Sequence, residues 1–519
     1  YCGGPLSDEE LVRMYSRSKI SLGFTSVGLI AENPAQQIKQ VRLRDFEATM
    51  SGAFYLVEEF DELAEFFEPG KEIVMFRDGE ELVEKARYYL GLTYFNAEDY
   101  KQSRETLRTF LKDFPKSSRA TEANYWAGYA SYLLEDFESA EAELGKFVAG
   151  SPEDPLLERA WPMLGECALR KKQYEVSAGL FEKSVKTHPQ GALVEDAKFG
   201  WARSLEALKK PDQAIKLYEQ LAADPTGTRA AEAQLNIGIR HYDEGRFKES
   251  AGAFELVETK FGGSPLVSLA QLNRGFSFYQ LQDFGKAAVE FEKSAKDPKH
   301  AVEGRLWMGF SLKARLDLPA AAKVFQAGYE QFKTEPAGER YLFHWADCLQ
   351  RDGKLAEALP LHRQLVKEYP KGSLAETSQL AAATCSYQLG KFEDADKLIA
   401  EAAGLFPQGR LKDRLQILKA RIAGERNDWA AAVQAVQPVS QQAADPVVKT
   451  EAVYFLASAL QRLGQHAQVL SATEPFIAAL DSNPALKDFA GLRVLRSASA
   501  LALGNAAKET AQGQKDFWT

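Results

Sequence analysis

The strongest constraint on the fold of this 519-residue chain is an internal repeat. Eleven times, a residue that is usually aromatic or leucine is followed three positions later by a small or aliphatic residue. The pairs are Tyr100/Ser103, Phe137/Ala140, Tyr174/Ser177, Pro211/Ala214, Phe247/Ser250, Phe284/Ala287, Leu318/Ala321, Leu355/Ala358, Phe392/Ala395, Trp429/Ala432 and His466/Val469. Consecutive pairs begin 34 to 37 residues apart. Such a period is typical of stacked helical hairpins, and it favours a binding function over a catalytic one.

One unit, residues 119–152, shows the pattern inside a repeat. Apolar residues recur at intervals of three and four over residues 123–133 and again over 137–147, which predicts two amphipathic helices. The acidic pair at 135–136 forms the predicted turn. Pro152 ends the unit, because proline lacks the backbone N–H that a continuing helix needs.

Glycine recurs in the middle of the first helix of many units, at Gly91, Gly128, Gly165, Gly200, Gly238, Gly275 and Gly309. Glycine in a helix interior costs about 1 kcal/mol relative to alanine. We therefore expect the missing side chain to let the second helix approach closely. A second group, Gly245, Gly353 and Gly390, is predicted to supply the stop between the two helices.

These residues resemble the tetratricopeptide repeat, whose consensus has a small residue at position eight, an aromatic–x–x–Ala pair and a closing proline. The resemblance implies a mainly α protein, with a right-handed α-solenoid of about 11–12 helical hairpins over residues 84–519. The period near 37 is similar to that of bacterial periplasmic proteins in envelope assembly and the Tol–Pal system. Residues 487–519 form a degenerate last unit that is expected to serve as a cap.

In this family the first helices form a concave face that takes a peptide or a partner protein. Asn236 and Asn273 each lie two positions before a central glycine, where the resemblance implies a hydrogen bond to the backbone of a peptide ligand. The positions directly after the glycines lack the asparagines of a full carboxylate clamp, so the resemblance to such a clamp is incomplete. Aromatic first-helix residues, notably Tyr125, Tyr129 and Tyr132, are the other candidate peptide contacts.

Residues 1–83 follow a different pattern. Apolar runs at 19–24, 54–57 and 72–76 alternate with helical stretches near 41–51, 61–67 and from 80 onward, which favours an α/β layer with parallel strands. Three segments, at residues 15–24, 44–53 and 67–73, resemble the C-terminal end of CgeB-like group 1 glycosyltransferases of the GT-B fold. Residues 84–90 fit both this ending and a first repeat helix, so one continuous helix is expected to join the two parts.

In that family an R-x-F-E-A segment opens a helix that faces a nucleotide-sugar donor. The resemblance implies that Glu47 accepts hydrogen bonds from the donor ribose and that Arg44 orients or contacts the diphosphate. Alternatively, Glu47 is a helix-start acid stabilised by the helix dipole. A second acidic residue common in the wider superfamily is replaced by Lys39. We identify no catalytic residue, and we expect the chain as given not to transfer sugar, because the acceptor domain of a GT-B enzyme would precede Tyr1.

The composition narrows the remaining functions. A net charge of −9 without a basic stripe argues against nucleic acid, and no apolar run is long enough to span a bilayer. The histidines and cysteines are scattered along the sequence, so we expect no metal site. We expect no bound cofactor, except a nucleotide-sugar donor if the complete enzyme exists. The favoured function is a cytoplasmic scaffold that binds a protein or peptide. The alternatives are the donor-binding half of a glycosyltransferase whose repeats recruit an acceptor protein, and a periplasmic role in envelope assembly.

Overall fold

The computed structural model describes residues 21–23, 26–27, 38–39, 55–69, 71–478, 480 and 483–518. The described chain is mainly α-helical and is built from consecutive helical hairpins, which confirms the expected fold class. It divides into two compact units, Tyr1–Glu244 (unit 1) and Gly245–Thr519 (unit 2), which we describe separately.

The front of unit 1 contains a small α/β segment. Strands β1 (Ser21–Gly23), β4 (Tyr55–Glu58) and β5 (Val74–Phe76) form a parallel sheet in the order β1-β4-β5. A short helix, α1 (Leu63–Phe66), lies between β4 and β5 in the chain, and β2 (Ser26–Val27) pairs antiparallel with β3 (Ile38–Lys39). The three predicted apolar runs are therefore strands, as expected. The helix predicted near residues 41–51 lies outside the described residues.

Helix α2 (Gly79–Asn96) joins this segment to the repeats without a break, as expected. Asp78 caps the helix by accepting a hydrogen bond from the Glu81 backbone N–H. Leu82 and Ala86 pack against the sheet, whereas Gly91 is buried by the following helix. The domain boundary between residues 83 and 84 falls inside α2 and stays a prediction.

The helices that follow have nearly uniform length. Those of unit 1 are α3 (Tyr100–Asp113), α4 (Ala120–Leu133), α5 (Phe137–Gly150), α6 (Leu157–Arg170), α7 (Tyr174–Thr187), α8 (Val194–Ala207), α9 (Pro211–Ala222) and α10 (Ala230–Asp243). Those of unit 2 are α11 (Phe247–Lys260), α12 (Val267–Gln280), α13 (Phe284–Ser294), α14 (Ala301–Ala314), α15 (Leu318–Phe332), α16 (Gly338–Arg351), α17 (Leu355–Glu368), α18 (Ala375–Gln388), α19 (Phe392–Leu405), α20 (Lys412–Glu425), α21 (Trp429–Gln442), α22 (Pro446–Arg462), α23 (His466–Ile477) and α24 (Gly491–Trp518).

Every second helix begins at the first residue of one of the eleven pairs that define the repeat. The small residue three positions later is buried in each case. The single 34-residue spacing, from Phe284 to Leu318, has a simple cause: α13 has 11 residues where most helices have 14. The pair therefore marks the register of each hairpin.

A residue with positive φ lies two positions before each of these second helices. Four of the eleven are glycines, Gly245, Gly353, Gly390 and Gly464, and seven are not: Glu98, Glu135, Lys172, Lys209, Gln282, Leu316 and Asn427. The three predicted glycine stops are thus confirmed. In a residue other than glycine, this left-handed conformation costs about 1–2 kcal/mol of conformational energy.

The central glycines do permit close approach of helices. A Cβ on Gly128 would lie 2.7 Å from Leu144 Cγ and 2.9 Å from the Leu144 backbone nitrogen. At Gly165 a Cβ would meet the ring of Phe181 at 2.8 Å. Gly200 differs from these two glycines, because it faces Phe181 of the preceding hairpin. The position in its repeat that is equivalent to Gly128 and Gly165 is occupied by the fully buried Ala202.

Carboxylates tie successive first helices together in unit 2. Glu339 on α16 accepts a hydrogen bond of 2.6 Å from the backbone N–H of Leu374, which precedes α18. Glu376 on α18 accepts one of the same length from Leu411, which precedes α20. Each carboxylate thereby satisfies a backbone donor that the next helix leaves open.

The last unit is not a hairpin within the described residues. After a 3-10 turn (Pro484–Phe489), α24 continues as one helix past the position at which every earlier unit turns. The sequence Ser497–Leu503 alternates serine, alanine and leucine, and the last two are strong helix formers. The expected degenerate last unit is therefore a single long helix.

Candidate functional site

The first helices of unit 1 form an open groove, which we call the first-helix groove. It encloses about 450 Å³ and is lined by residues of α4, α6, α8 and α10, by the residues that precede α8 and α10, and by Phe181 of α7. Its lining residues are Tyr129, Tyr132, Leu133, Pro162, Met163, Glu166, Arg170, Phe181, Leu193, Asp196, Phe199, Gly200, Arg203, Arg229 and Glu232. The aromatic candidates Tyr129 and Tyr132 are thus brought together, as neighbours on one helix.

Both tyrosines are half-buried, and the ring of each packs on a neighbouring aromatic ring. The ring of Tyr129 stacks on Trp126 at a centroid distance of 6.5 Å, and Tyr132 contacts Phe137 edge-on at 6.1 Å. Burial is the main cause that raises the pKa of Tyr132 to about 12, and the negative charge of the Glu166 carboxylate adds to the effect. Its hydroxyl is therefore a neutral hydrogen-bond donor near neutral pH.

Tyr125 does not reach the groove. Its side chain is 1% exposed and packs on Phe147 at 5.2 Å, and burial raises its pKa to about 12. The ring forms part of the hairpin core, and a partner could contact it only if the hairpin opened. We therefore leave Tyr125 out of the proposed contact set.

The two asparagines lie in different units. Asn236 is half-buried on α10 in unit 1, and Asn273 is half-buried on α12 in unit 2. Among the described residues, neither side-chain amide forms a hydrogen bond; the Asn273 backbone carbonyl accepts one from Ser277. Each amide is therefore available to a ligand within its own unit. Glu47 and Arg44 lie outside the described residues.

The charges of the groove were not singled out by the sequence analysis. Glu166 pairs with Arg170 at 2.7 Å and lies 3.7 Å from Arg203. A sequence signal was present, because Glu166 and Arg203 are 37 residues apart and so occupy equivalent positions of successive first helices. The hydrogen bond to Glu166 also raises the pKa of Arg170 above its usual value.

A second group of charges, around Arg229, also lines the groove. Arg229 pairs with Asp196 at 2.6 Å and with Glu232 at 2.7 Å. Its guanidinium also lies over the ring of Phe199, 5.3 Å from the centroid. Three arginines thus face three carboxylates, and the lining carries no formal net charge.

Unit 2 has a comparable pocket of about 520 Å³, lined by residues of the first helices α18, α20 and α22, by the start of the second helix α21 and by the turn before it. Arg421 lies 4.7 Å from the centroid of the Phe455 ring and pairs with Glu451 at 2.6 Å. Arg462 lies over the ring of Trp429 at 5.6 Å. Cationic side chains on aromatic faces are therefore common to both pockets.

Other kinds of site find less support in the described part of the chain. It contains no group of three or more His, Cys, Asp or Glu side chains that could hold a metal ion. None of its helices combines the length and apolar composition needed to cross a bilayer. Cys167, Cys348 and Cys385 are buried free thiols whose pKa burial raises above the usual value.

Comparisons with known proteins fit this arrangement. A family model described as glycosyl transferase-like matches residues 1–122. A model described as YfiO, an outer membrane lipoprotein, matches residues 80–178. Two tetratricopeptide repeat models match residues 199–265 and 340–372. No curated protein matches the chain.

Two solved structures that match the chain are the APC/C hetero-tetramer Cut9-Hcn1 and yeast Tom70. The first is 11% identical, and the match covers 88% of this chain and 87% of that one, with a TM-score of 0.31. The second is 12% identical, and the match covers 74% of this chain and 97% of that one, with a TM-score of 0.31. Similarity at this level does not bear on function.

Proposed function

Starting from a chain that carries tetratricopeptide repeats behind a glycosyl transferase-like segment, we propose that it is a protein-interaction scaffold. The ligand is a segment of another protein, bound in the first-helix groove of unit 1. The observation that carries the proposal is the pairing of half-buried Tyr129 and Tyr132 with an open groove flanked by ion pairs.

The tyrosines suit this role because each lines the groove and combines an apolar ring, packed on a neighbouring aromatic ring, with a polar hydroxyl. Such rings contribute contact area at a low cost in side-chain entropy. The Tyr132 hydroxyl donates to a backbone or side-chain oxygen of the ligand. The arginines and carboxylates then supply polar contacts at the rim, which give specificity more than affinity.

The charge balance of the groove limits the choice of partner. Because each arginine already faces a carboxylate, neither a polyanion nor a strongly acidic peptide gains the field that it would need. A segment with apolar side chains and charges of both signs fits better. Asn236 and Asn273 are proposed to add hydrogen bonds to ligand backbone in units 1 and 2, respectively.

The test is a comparison of captured proteins between three versions of the full chain. Tyr129→Ala/Tyr132→Ala removes the groove rings, whereas Val176→Ala removes an apolar side chain that is 52% exposed on the second helix α7. We expect a specific partner to bind the wild-type and Val176→Ala chains equally. Its affinity for the double variant should fall by about 10-fold or more, the usual loss when an aromatic hot spot is truncated.

Circular dichroism of each variant is the control, since an intact helical signal excludes loss of the fold. Equal affinity of the partner for all three chains would place the binding surface elsewhere and refute the proposal for this groove.

A second function, binding of a nucleotide-sugar donor by the front segment, is supported by the family match over residues 1–122 and by the parallel β1-β4-β5 sheet. We propose Glu47 as the ribose contact and Arg44 as the diphosphate contact. Isothermal titration with a panel of nucleotide diphosphate sugars tests the idea. We expect the wild-type chain to bind one of these sugars and Glu47→Ala to abolish the binding. Glu65→Ala, which changes an exposed residue of the same segment, should leave the binding intact. Absence of binding by the wild-type chain refutes it.

Two compartments fit these functions. A cytoplasmic scaffold remains our first proposal. The match of residues 80–178 to an outer membrane lipoprotein model supports the periplasmic alternative. Fractionation of cells that express the protein from its own gene decides between them.

A further inference from the structure

Helix α8 presents an acidic, an apolar and a basic residue in one line along the first-helix groove. Asp196, Phe199 and Arg203 all line the groove and are spaced by three and four residues, which places them on one face of the helix. Seven residues of α-helix separate Asp196 from Arg203, a rise of about 10 Å. The two charges are therefore held apart on a rigid element, with an aromatic ring between them.

The lining charges around Arg203 leave an excess of positive charge. Arg203 and Arg170 share one carboxylate, that of Glu166, which lies 2.7 Å from Arg170 and 3.7 Å from Arg203. Within the described residues, this longer contact is the one ion pair that Arg203 makes, and its side chain is 43% exposed. Two arginines against one carboxylate give this group, which we call the basic cluster, a formal charge of +1.

Around Arg229 the balance is reversed. Its guanidinium lies between two lining carboxylates, 2.6 Å from Asp196 and 2.7 Å from Glu232, so this acidic cluster has a formal charge of −1. A further carboxylate, Glu195, accepts hydrogen bonds from the Thr228 hydroxyl at 2.7 Å and from the Arg229 backbone N–H at 3.3 Å. The neutral lining of the groove thus consists of two opposite charges at different places.

The two clusters also extend from α8 toward different neighbours. The basic cluster joins α8 to α6 through Glu166, and the acidic cluster joins α8 to α10 through Arg229. The lining also has an apolar part: Met163 and Phe199 are each 6% exposed, and Phe181 is 2% exposed. A Cβ on Gly200 would lie 2.3 Å from Phe181 Cζ, so the absence of a side chain there leaves room for this ring. An apolar side chain of a ligand gains contact area against these residues.

Taking the proposed binding of a protein segment in this groove as the premise, we propose that the ligand carries an apolar side chain with a basic side chain on one side of it and an acidic side chain on the other. The basic side chain faces the acidic cluster, and the acidic side chain faces the basic cluster. Same-face side chains four residues apart in an extended segment are about 13 Å apart, and side chains seven residues apart in a helix about 10 Å. Either spacing reaches from one cluster to the other. A ligand whose two charges have the same sign meets repulsion at one cluster, so the groove selects against it.

The experiment selects ligands for the full chain from a library of random twelve-residue peptides displayed on phage. Peptides that the Tyr129→Ala/Tyr132→Ala chain also captures are removed, so that those remaining depend on the groove tyrosines. We expect the remaining peptides to carry one acidic and one basic residue on either side of an apolar one.

Charge reversal in the groove should change this preference in a defined direction. Arg203→Glu turns the basic cluster from +1 to −1 and should enrich peptides with two basic residues. Glu232→Lys turns the acidic cluster from −1 to +1 and should enrich peptides with two acidic residues. The two side chains are similarly exposed, 43% and 41%, so neither change disturbs a core. Each reversed chain should bind the peptides selected by the wild type about fivefold more weakly.

Lys216→Glu is the matched control, because it reverses an exposed charge on the second helix α9, outside the groove, and should select the same peptides as the wild type. The helical circular dichroism signal should be the same for all chains. Tyrosine-dependent peptides whose charges are the same for the wild type and both reversed chains overturn the charge selection and leave binding in the groove intact. A selection that yields no tyrosine-dependent peptide overturns the proposed function and the charge selection together.

Discussion

The most direct test of the packing concerns two glycines of a single hairpin, changed to alanine one at a time. Gly128 lies on α4 and faces α5, whereas Gly145 lies on α5, where an added Cβ would have no neighbouring atom within 4 Å. Both are helical, so both changes gain about 1 kcal/mol from helix propensity. The difference between them isolates the close approach of the two helices.

The cost at Gly128 follows from the contacts. A Cβ there would lie 2.7 and 2.9 Å from two atoms of Leu144, one of which is a backbone nitrogen that cannot rotate away. Carbon contacts prefer about 3.5–4.0 Å, so α5 must shift by roughly 1 Å. Overpacking of this kind costs about 1–3 kcal/mol. We expect Gly128→Ala to lose up to about 2 kcal/mol and Gly145→Ala to gain about 1 kcal/mol.

Hydrogen exchange of the full chain, followed by mass spectrometry of peptides from α4 and α5, measures the local free energy of opening. This measurement suits a repeat protein better than a global melt, because long arrays need not unfold in a single transition. Equal protection in the two variants, or stronger protection in Gly128→Ala, would refute the reasoning that glycine is present for close helix packing.

Three further outcomes are expected, each measured by urea unfolding or hydrogen exchange of unit 2 within the full chain. Leu316→Gly should stabilise by about 1 kcal/mol, because φ is 64° at this 81% exposed leucine; an unchanged stability contradicts this. Glu339→Ala should cost about 1 kcal/mol by removing the acceptor for the Leu374 N–H, and normal protection near α18 argues against it. Burial lowers the pKa of His344 and His362 to about 4. Unfolded histidine binds a proton near pH 6.5, so stability should be fully present above that pH and fall toward pH 4. Replacing His362 by leucine should make the fall shallower, and an identical pH profile speaks against the buried histidine as its cause.

The repeat was predictable from the sequence because one structural device recurs with it. An aromatic or leucine residue opens each second helix, and the small residue three positions later is buried against the first helix. Even the anomalous spacing after Phe284 marks a real feature, the short helix α13. The strands at residues 55–58 and 74–76 were also predictable, since short apolar runs alternated with helical stretches.

The groove was harder to predict, because a first helix in a stack contacts neighbours on more than one side. Tyr125 and Tyr129 are four residues apart and look alike in sequence, yet one is in the core and the other lines the groove. Two of the groove's ion pairs, Arg229–Asp196 and Arg203–Glu166, join residues of different repeats. Their spacing in sequence allows such a contact, but the stacking of the hairpins decides whether the two side chains meet.

The sequence predicted that the last unit is degenerate, but not that it is a single helix. The period predicted a further unit, but the serine, alanine and leucine of residues 497–503 favour an unbroken helix over a turn. A periodic sequence therefore predicts where a turn is expected, whereas local helix propensity decides whether the turn forms.

The positive-φ turns have a consequence for how such a protein can change over time. Each turn is a single residue whose replacement by glycine, or the reverse, alters the stability of one hairpin while the side chains of the first-helix groove stay the same. In a chain whose repeats contact only their neighbours, rigidity can then be set locally. Seven of the eleven turns carry a residue other than glycine, so evolution or an engineer could strengthen the array one hairpin at a time without changing the residues that line the groove.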